Sequence, residues 1–217
     1  MRELEMGFLG KITASMTHEI KNTLAIILES SGLLSDLLTF SEPGSFPHQE
    51  KFQKVLGTIN EQVNRGVVLA TRLNQFAHSM DEPLAEVRLA ELQELVVALM
   101  QRLARRRGVV LAALAPDREV SFRSDPFRLL LVLCSIIEHL ADSLESGGKI
   151  LLQAPPAKEG VAILLEIQGA PKAGLEGLTA TLFPSLRDIV AALGAELAVS
   201  SPPIPEGVLL TVKGGDS

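Results

Sequence analysis

His18-Glu19-Ile20-Lys21-Asn22 lies at the centre of a run, Leu9 to Leu38, in which apolar residues recur at three- and four-residue steps. This spacing predicts a long amphipathic helix. His18 falls outside the apolar stripe, so its neutral imidazole can act as a nucleophile from the solvent side. Glu19 can accept a ring N–H, and Asn22 shares the face of His18 one turn further on. A solvated surface pair is the alternative for His18 and Glu19. The stripe consists of Leu9, Ile12, Met16, Ile20, Leu24, Ile27, Ser31 and Leu34.

Two long helices with a short connection are predicted for the first part of the chain. The first runs from Glu3 to Phe40 and the second from Gln49 to Met80, and Ser41 to Pro47 is a turn by composition. Such helices form an antiparallel hairpin. Because a hairpin cannot bury its stripe alone, we expect two copies to pair into a four-helix bundle, which makes the protein a homodimer. Counting from the turn places His18 opposite the range Thr71 to Gln75.

The pattern changes after Asp81-Glu82-Pro83, which predicts two domains, residues 1–82 and residues 83–217. The second domain alternates helices and strands in the order typical of a mixed sheet with helices on one face. The predicted fold class is α+β, a helical hairpin followed by an α/β sandwich. Predicted helices are Leu89 to Arg107, Pro126 to Leu144 with Asp125 as cap, and Pro184 to Leu193; predicted strands are Val109 to Leu114, Glu119 to Phe122, Lys149 to Gln153, Val161 to Ile167, Glu196 to Ser200 and Gly207 to Val212.

Composition limits the classes of function. The chain has 217 residues, 47% of them hydrophobic, and a net charge of −6, which argues against nucleic-acid binding. No apolar run reaches transmembrane length and no signal peptide is recognisable at Met1, so we expect a cytoplasmic protein that does not enter a membrane. The single Cys134 is expected to be a buried thiol, and neither a disulfide nor a metal site is predicted.

The segment Ser15 to Leu24 resembles the phospho-acceptor box of sensor histidine kinases, with Thr23 where that family usually has Pro. The run Asp125 to His139 is similar to a helix of the Bergerat ATP-binding fold that follows the hairpin in the same family. The resemblance covers nearly the whole chain. It implies a hairpin that carries phosphohistidine at His18 and a second domain with the histidine kinase ATPase fold.

Three nucleotide motifs of that family are altered. Ser135 and His139 stand where that family has two asparagines. The resemblance implies that the second asparagine holds magnesium, and the imidazole of His139 is a poor ligand for this hard cation. The adenine-binding aspartate is missing from Ile167 to Gly174. Bulky residues at Ala180 to Phe183 stand where the phosphate-binding glycines occur, and the loop Leu175 to Thr181 is too short for a lid. We therefore expect no cofactor, with ATP and magnesium binding lost.

The resemblance then implies a histidine phosphotransferase of a two-component phosphorelay. His18 takes a phosphoryl group from an aspartate of a response-regulator receiver domain and passes it to another, with Glu19 and Asn22 as helper residues. The receiver brings its own divalent ion. Three alternatives stay open: a sensor-less active histidine kinase with an atypical nucleotide pocket, a non-catalytic scaffold that binds receivers, and a phosphatase in which Asn22 positions water.

The receiver is expected to dock beside His18 on the solvent face of the hairpin. An ordinary polar helix face is the alternative interpretation of the same residues. The predicted docking residues are Lys21, Asn22, Ala25, Ile26 and Glu29 of the first helix and Asn64, Arg65 and Val68 of the second.

Overall fold

The computed structural model describes residues 2–39, 48–157, 159–169, 174–200 and 202–213. The chain separates into two compact units. One unit is Leu9–Asn74, and the other combines Met1–Phe8 with Gln75–Ser217. The first unit is the central part of a helical hairpin, and the second contains both sheets. No helix among the described residues is both long enough and apolar enough to cross a bilayer.

The predicted hairpin is confirmed. Helix α1 spans Arg2–Thr39 and helix α2 spans Gln49–His78. The predicted turn, Ser41 to Pro47, lies outside the described residues. The apolar stripe of α1 is buried only in part: Met16 is 1% exposed, whereas Leu24 is 58% exposed. A single chain therefore leaves part of the stripe in water.

The α/β unit is built on a mixed sheet, as predicted, and this sheet has five strands. The strand order is β2-β4-β5-β7-β6, with β2 parallel to β4 and the other neighbours antiparallel. A separate two-stranded sheet pairs β1 with β3, with Ala85 opposite Ser124; β1 was not predicted. The strands are β1 Ala85–Arg88, β2 Val110–Ala113, β3 Ser121–Ser124, β4 Lys149–Gln153, β5 Val161–Gln168, β6 Ala195–Val199 and β7 Gly207–Val212.

Three helices lie side by side over this sheet: α3 (Leu89–Arg106), α4 (Pro126–Ser143) and α5 (Gly174–Ala192). The central helix α4 begins as predicted, with the Arg128 backbone N–H donating to Asp125 Oδ1 at 2.9 Å and Pro at the first turn. Its stretch from Leu129 to Cys134 is wholly apolar and buried, because the helix is covered on several sides there. Fully buried side chains of the core include Leu129, Leu130, Leu133, Ile136, Ile137 and Leu140 of α4 and Ile150, Leu152, Leu165, Val208 and Leu210 of the strands.

The start of α5 differs from the prediction. The loop expected from Leu175 to Thr181 is helical, and Pro184, expected at the first turn, lies inside the helix. The glycines at 174 and 177 and the proline suggested a break. However, the apolar residues Leu182, Leu186 and Ile189 follow helical spacing and are all buried, so tertiary packing outweighs the local signals. Residues 170–173 of the predicted loop lie outside the described residues.

Three phenylalanines connect the ends of α1 and α2 to α4 inside the α/β unit. The rings of Phe8 and Phe76 have centroids 5.6 Å apart in an edge-to-face arrangement, and Phe127 lies 5.8 Å from Phe8 and 6.2 Å from Phe76. Beside them, Nε of Arg128 lies 3.6 Å from Oε1 of Glu5. The first turns of α1 and the last turn of α2 therefore pack as part of this unit.

Candidate functional site

His18 lies on the exposed surface of α1, as the sequence predicts. The amide nitrogen of Asn22 donates to Nδ1 of His18 at 3.2 Å, one helical turn away. With Nδ1 as acceptor, a neutral ring carries its proton on Nε2. A half-turn of the amide presents its oxygen instead, which accepts Nδ1–H and leaves the Nε2 lone pair available. Asn22 is therefore placed to select the ring tautomer.

Glu19 is engaged across the hairpin. Nη2 of Arg65 donates to Oε2 of Glu19 at 3.3 Å. The Glu19 side chain is 15% exposed and that of Arg65 is 48% exposed. Glu19 follows His18 directly, so its side chain leaves α1 about 100° around the helix from the imidazole. The carboxylate is thus held towards α2 rather than on the surface that carries the ring.

The two helices approach closely next to this ion pair. A Cβ atom on Gly66 would lie 3.5 Å from Cγ2 of Thr23. Thr23 is 2% exposed, and its hydroxyl donates to the carbonyl oxygen of Glu19 at 3.0 Å. Counting five residues from each partner of this contact places His18 level with Thr71, at one end of the predicted range.

The predicted docking residues are all exposed. Asn22, Ile26 and Glu29 follow His18 at the spacing of a single helix face, and Lys21 and Ala25 border it. On α2, the ion pair with Glu19 brings Arg65 beside α1. Asn64 and Val68 are exposed on the same helix. Both charges of the Arg65–Glu19 pair are visible in the sequence, but the separation of 46 residues makes the contact unpredictable from local pattern.

In the α/β unit, two residues at positions of the predicted altered nucleotide motifs lie close together. Nε2 of His139 on α4 lies 3.3 Å from Oγ1 of Thr181 on α5. Leu182, the next residue, is buried. Since the backbone from Gly174 onwards is helical, most of its N–H groups are bonded within the helix and cannot surround a phosphate. A helix that contacts α4 therefore stands where the resemblance implies a glycine-rich cradle.

No protein-family model and no curated protein matches the chain. Several solved structures are similar to it. The Acinetobacter baumannii histidine kinase AdeS is 14% identical, with 92% of this chain and 98% of that chain covered and a TM-score of 0.49. The histidine kinase ThkA in complex with the response regulator TrrA is 19% identical, with 98% and 63% covered and a TM-score of 0.47.

The ATP binding domain of PrrB from Mycobacterium tuberculosis is 15% identical, with 63% of this chain and 100% of that chain covered and a TM-score of 0.47. These structural neighbours are histidine kinases. At such identities and TM-scores the likeness assigns no activity to this chain.

Proposed function

We propose that the protein is a histidine phosphotransferase that relays a phosphoryl group between receiver aspartates without using ATP. The observation that carries the proposal is the exposed ring of His18 with the Asn22 amide at Nδ1, because a half-turn of that amide selects the tautomer whose Nε2 lone pair faces solvent. The acceptor-box resemblance of residues 15–24 supports the same assignment. The catalytic group is His18, with Asn22 controlling its tautomer.

The transfer step requires the Nε2 lone pair. When the amide oxygen of Asn22 accepts Nδ1–H, Nε2 attacks phosphorus in line and the N–P bond forms. The P–O bond to the receiver aspartate breaks, and the carboxylate leaves with that electron pair. The ring then carries a positive charge until the Nδ1 proton passes to solvent, and the nearby Glu19 carboxylate stabilises that charge. Any divalent ion in this step is supplied by the receiver.

The proposed loss of ATP binding is supported by the contact between α4 and α5. His139 replaces the magnesium-binding asparagine implied by the resemblance, and its ring faces Thr181. The helical backbone around Thr181 supplies few free N–H groups for phosphate oxygens. Without its own nucleotide, the protein requires a phosphoryl donor whose energy is already stored, such as an aspartyl phosphate.

We also propose that the protein is a homodimer. The hairpin exposes apolar side chains on both helices, and an apolar surface of this kind is typically covered by a partner. A second hairpin would bury them in a four-helix bundle. The side chains concerned are Leu24, Leu28, Leu56, Val63 and Val67, which are 41–75% exposed in a single chain.

The experiment that tests the proposed function compares two labelled donors. Receiver domains from the source organism are loaded with [32P]acetyl phosphate, freed of excess donor and mixed with the protein; [γ-32P]ATP with magnesium is used in parallel. We expect acid-labile label on the protein from at least one receiver and none from ATP. His18→Gln should abolish the label while the circular dichroism spectrum is unchanged.

Label on the protein from ATP alone would indicate that it is a kinase and not a phosphotransferase. Loss of phosphoryl groups from the receiver with no label on His18, preserved in His18→Gln and lost in Asn22→Ala, would indicate a phosphatase. Binding of receivers without transfer or hydrolysis would indicate a scaffold. Each outcome contradicts the proposed relay in a different way.

A further inference from the structure

Arg65 contacts α1 through the residue that follows the proposed nucleophile. Its Nη2 lies 3.3 Å from Oε2 of Glu19, whose side chain is only 15% exposed. The carboxylate is thus largely withdrawn from water, and its cation comes from the other helix of the hairpin.

The ion pair is built on a close contact between the two backbones. Gly66, next to Arg65, lacks a side chain where Thr23 packs, at 3.5 Å from the position of a Cβ atom. Thr23 in turn donates its hydroxyl to the carbonyl of Glu19 at 3.0 Å. Two residues of α1 that lie one turn apart, Glu19 and Thr23, are therefore matched to the consecutive residues Arg65 and Gly66 of α2, which fixes where the guanidinium meets the carboxylate.

Stability alone gives little reason for this pair. An ion pair with one partner half in water contributes little to stability because solvent screens it. Its position beside His18 offers another reason. A carboxylate held in one place can stabilise the charge that develops on the ring, whereas one that moves freely in water cannot.

We propose that Arg65 is a positioning residue for phosphotransfer at His18, acting through Glu19 rather than by contact with the receiver. The inference rests on the proposed function. Arg65 fixes the Glu19 carboxylate on the α2 side of α1, one residue from His18, so that the imidazolium formed with the new N–P bond develops near a negative charge that is held in one place. The catalytic group remains His18, and Arg65 touches neither donor nor phosphorus.

A double-mutant cycle with two donors tests this role. The rate of His18 phosphorylation is measured for wild type, Arg65→Gln, Glu19→Gln and the double variant, using phosphoramidate and a phosphorylated receiver. Phosphoramidate is a small donor that needs no docking surface. We expect Arg65→Gln to slow both reactions about tenfold, because the negative charge near the ring is then no longer held in place. Arg65→Lys should restore most of the rate.

The decisive measurement is the rate of His18 phosphorylation in the double variant. If Arg65 acts through Glu19, the double variant is no slower than Glu19→Gln, because the anchored group is already gone. If the rate losses of the two single variants multiply in the double variant, the inference is overturned. A slower reaction with the receiver and an unchanged rate with phosphoramidate would make Arg65 a docking residue instead. Arg105→Gln, which removes an exposed arginine at the end of α3, is the matched control and should leave both rates unchanged.

Ring 15N chemical shifts of His18 give a readout that needs no phosphoryl donor. They respond to the charges around the ring, and we expect the same change in Arg65→Gln and Glu19→Gln, with no further change in the double variant. Identical spectra for wild type and Arg65→Gln would contradict the inference. If phosphoramidate labels His18 and no receiver does, the proposed relay fails, while the cycle with phosphoramidate still decides the role of Arg65.

Discussion

The absence of a side chain has opposite consequences at Gly207 and at Gly57. Gly207 lies opposite Glu166 in the β5–β7 pair, and a Cβ atom there would overlap the carbonyl oxygen of Leu165 and lie 2.9 Å from Cα of Glu166. Gly57 lies in α2 with nothing within 4 Å of a Cβ atom. The first glycine is required by packing between strands, and the second only costs the helix backbone entropy.

We expect Gly207→Ala to lower the free energy of unfolding and Gly57→Ala to raise it. The alanine at 207 must displace backbone atoms, which costs about 2 kcal/mol or more, whereas the alanine at 57 gains up to about 1 kcal/mol of helix propensity. Urea unfolding followed by circular dichroism measures both. A stable Gly207→Ala protein would show that β5 and β7 do not pair in this register.

At the scale of elements, α5 is continuous through Pro184. A proline inside a helix removes one hydrogen bond and crowds the preceding turn, so it is normally found near a helix start. Pro126 occupies such a start in α4, where a backbone N–H would have no intrahelical acceptor, so its absence costs no hydrogen bond. The two prolines therefore make a matched pair, one inside a helix and one at its first turn.

Replacing Pro184 by alanine distinguishes a continuous helix from a loop followed by a helix. In a continuous helix, Pro184→Ala restores a backbone donor and raises the free energy of unfolding by roughly 1–3 kcal/mol. Pro126→Ala should bring no such gain. Chemical denaturation of the two variants makes the comparison, and equal, small changes would place a helix start at Pro184 and return residues 175–181 to a loop.

The elements that sequence predicts correctly carry local signals. Asp125 and Pro126 predict the start of α4, and glycines and prolines lie at the ends of the sheet strands. At Pro184 the same kind of local signal gave a wrong prediction of a helix start. The burial of Leu182 and Leu186, which holds the helix together there, cannot be predicted from the local sequence. At the candidate site, His18 and Asn22 were predictable from helical spacing. The pairing of Glu19 with Arg65 was not, since it depends on the register between two helices.

At the scale of the whole molecule, the phenylalanine cluster joins three distant parts of the chain. Phe8, Phe76 and Phe127 come from the start of α1, the end of α2 and the start of α4. Phe76 is 1% exposed, so it is the member most withdrawn from water. The cluster thereby ties both ends of the hairpin into the cooperative core of the α/β unit.

Truncation of Phe76 should destabilise this unit strongly. Phe76→Ala leaves a cavity and is expected to cost about 3–5 kcal/mol. Thermal unfolding measures the loss as a lowered midpoint. Leu4→Ala, at a side chain that is 40% exposed, serves as the control and should change stability by less than about 0.5 kcal/mol. Equal effects of the two variants would mean that the cluster does not contribute to the core.

The same cluster makes residues 9–74 an insertion in topological terms. The chain leaves the α/β unit at Phe8 and returns at Gln75, and the rings of Phe8 and Phe76 are 5.6 Å apart. Helices in contact have axes about 8–10 Å apart, a gap that about three residues can bridge. Residues 9–74 can therefore be exchanged as a cassette, by recombination or by design, without rebuilding the α/β unit.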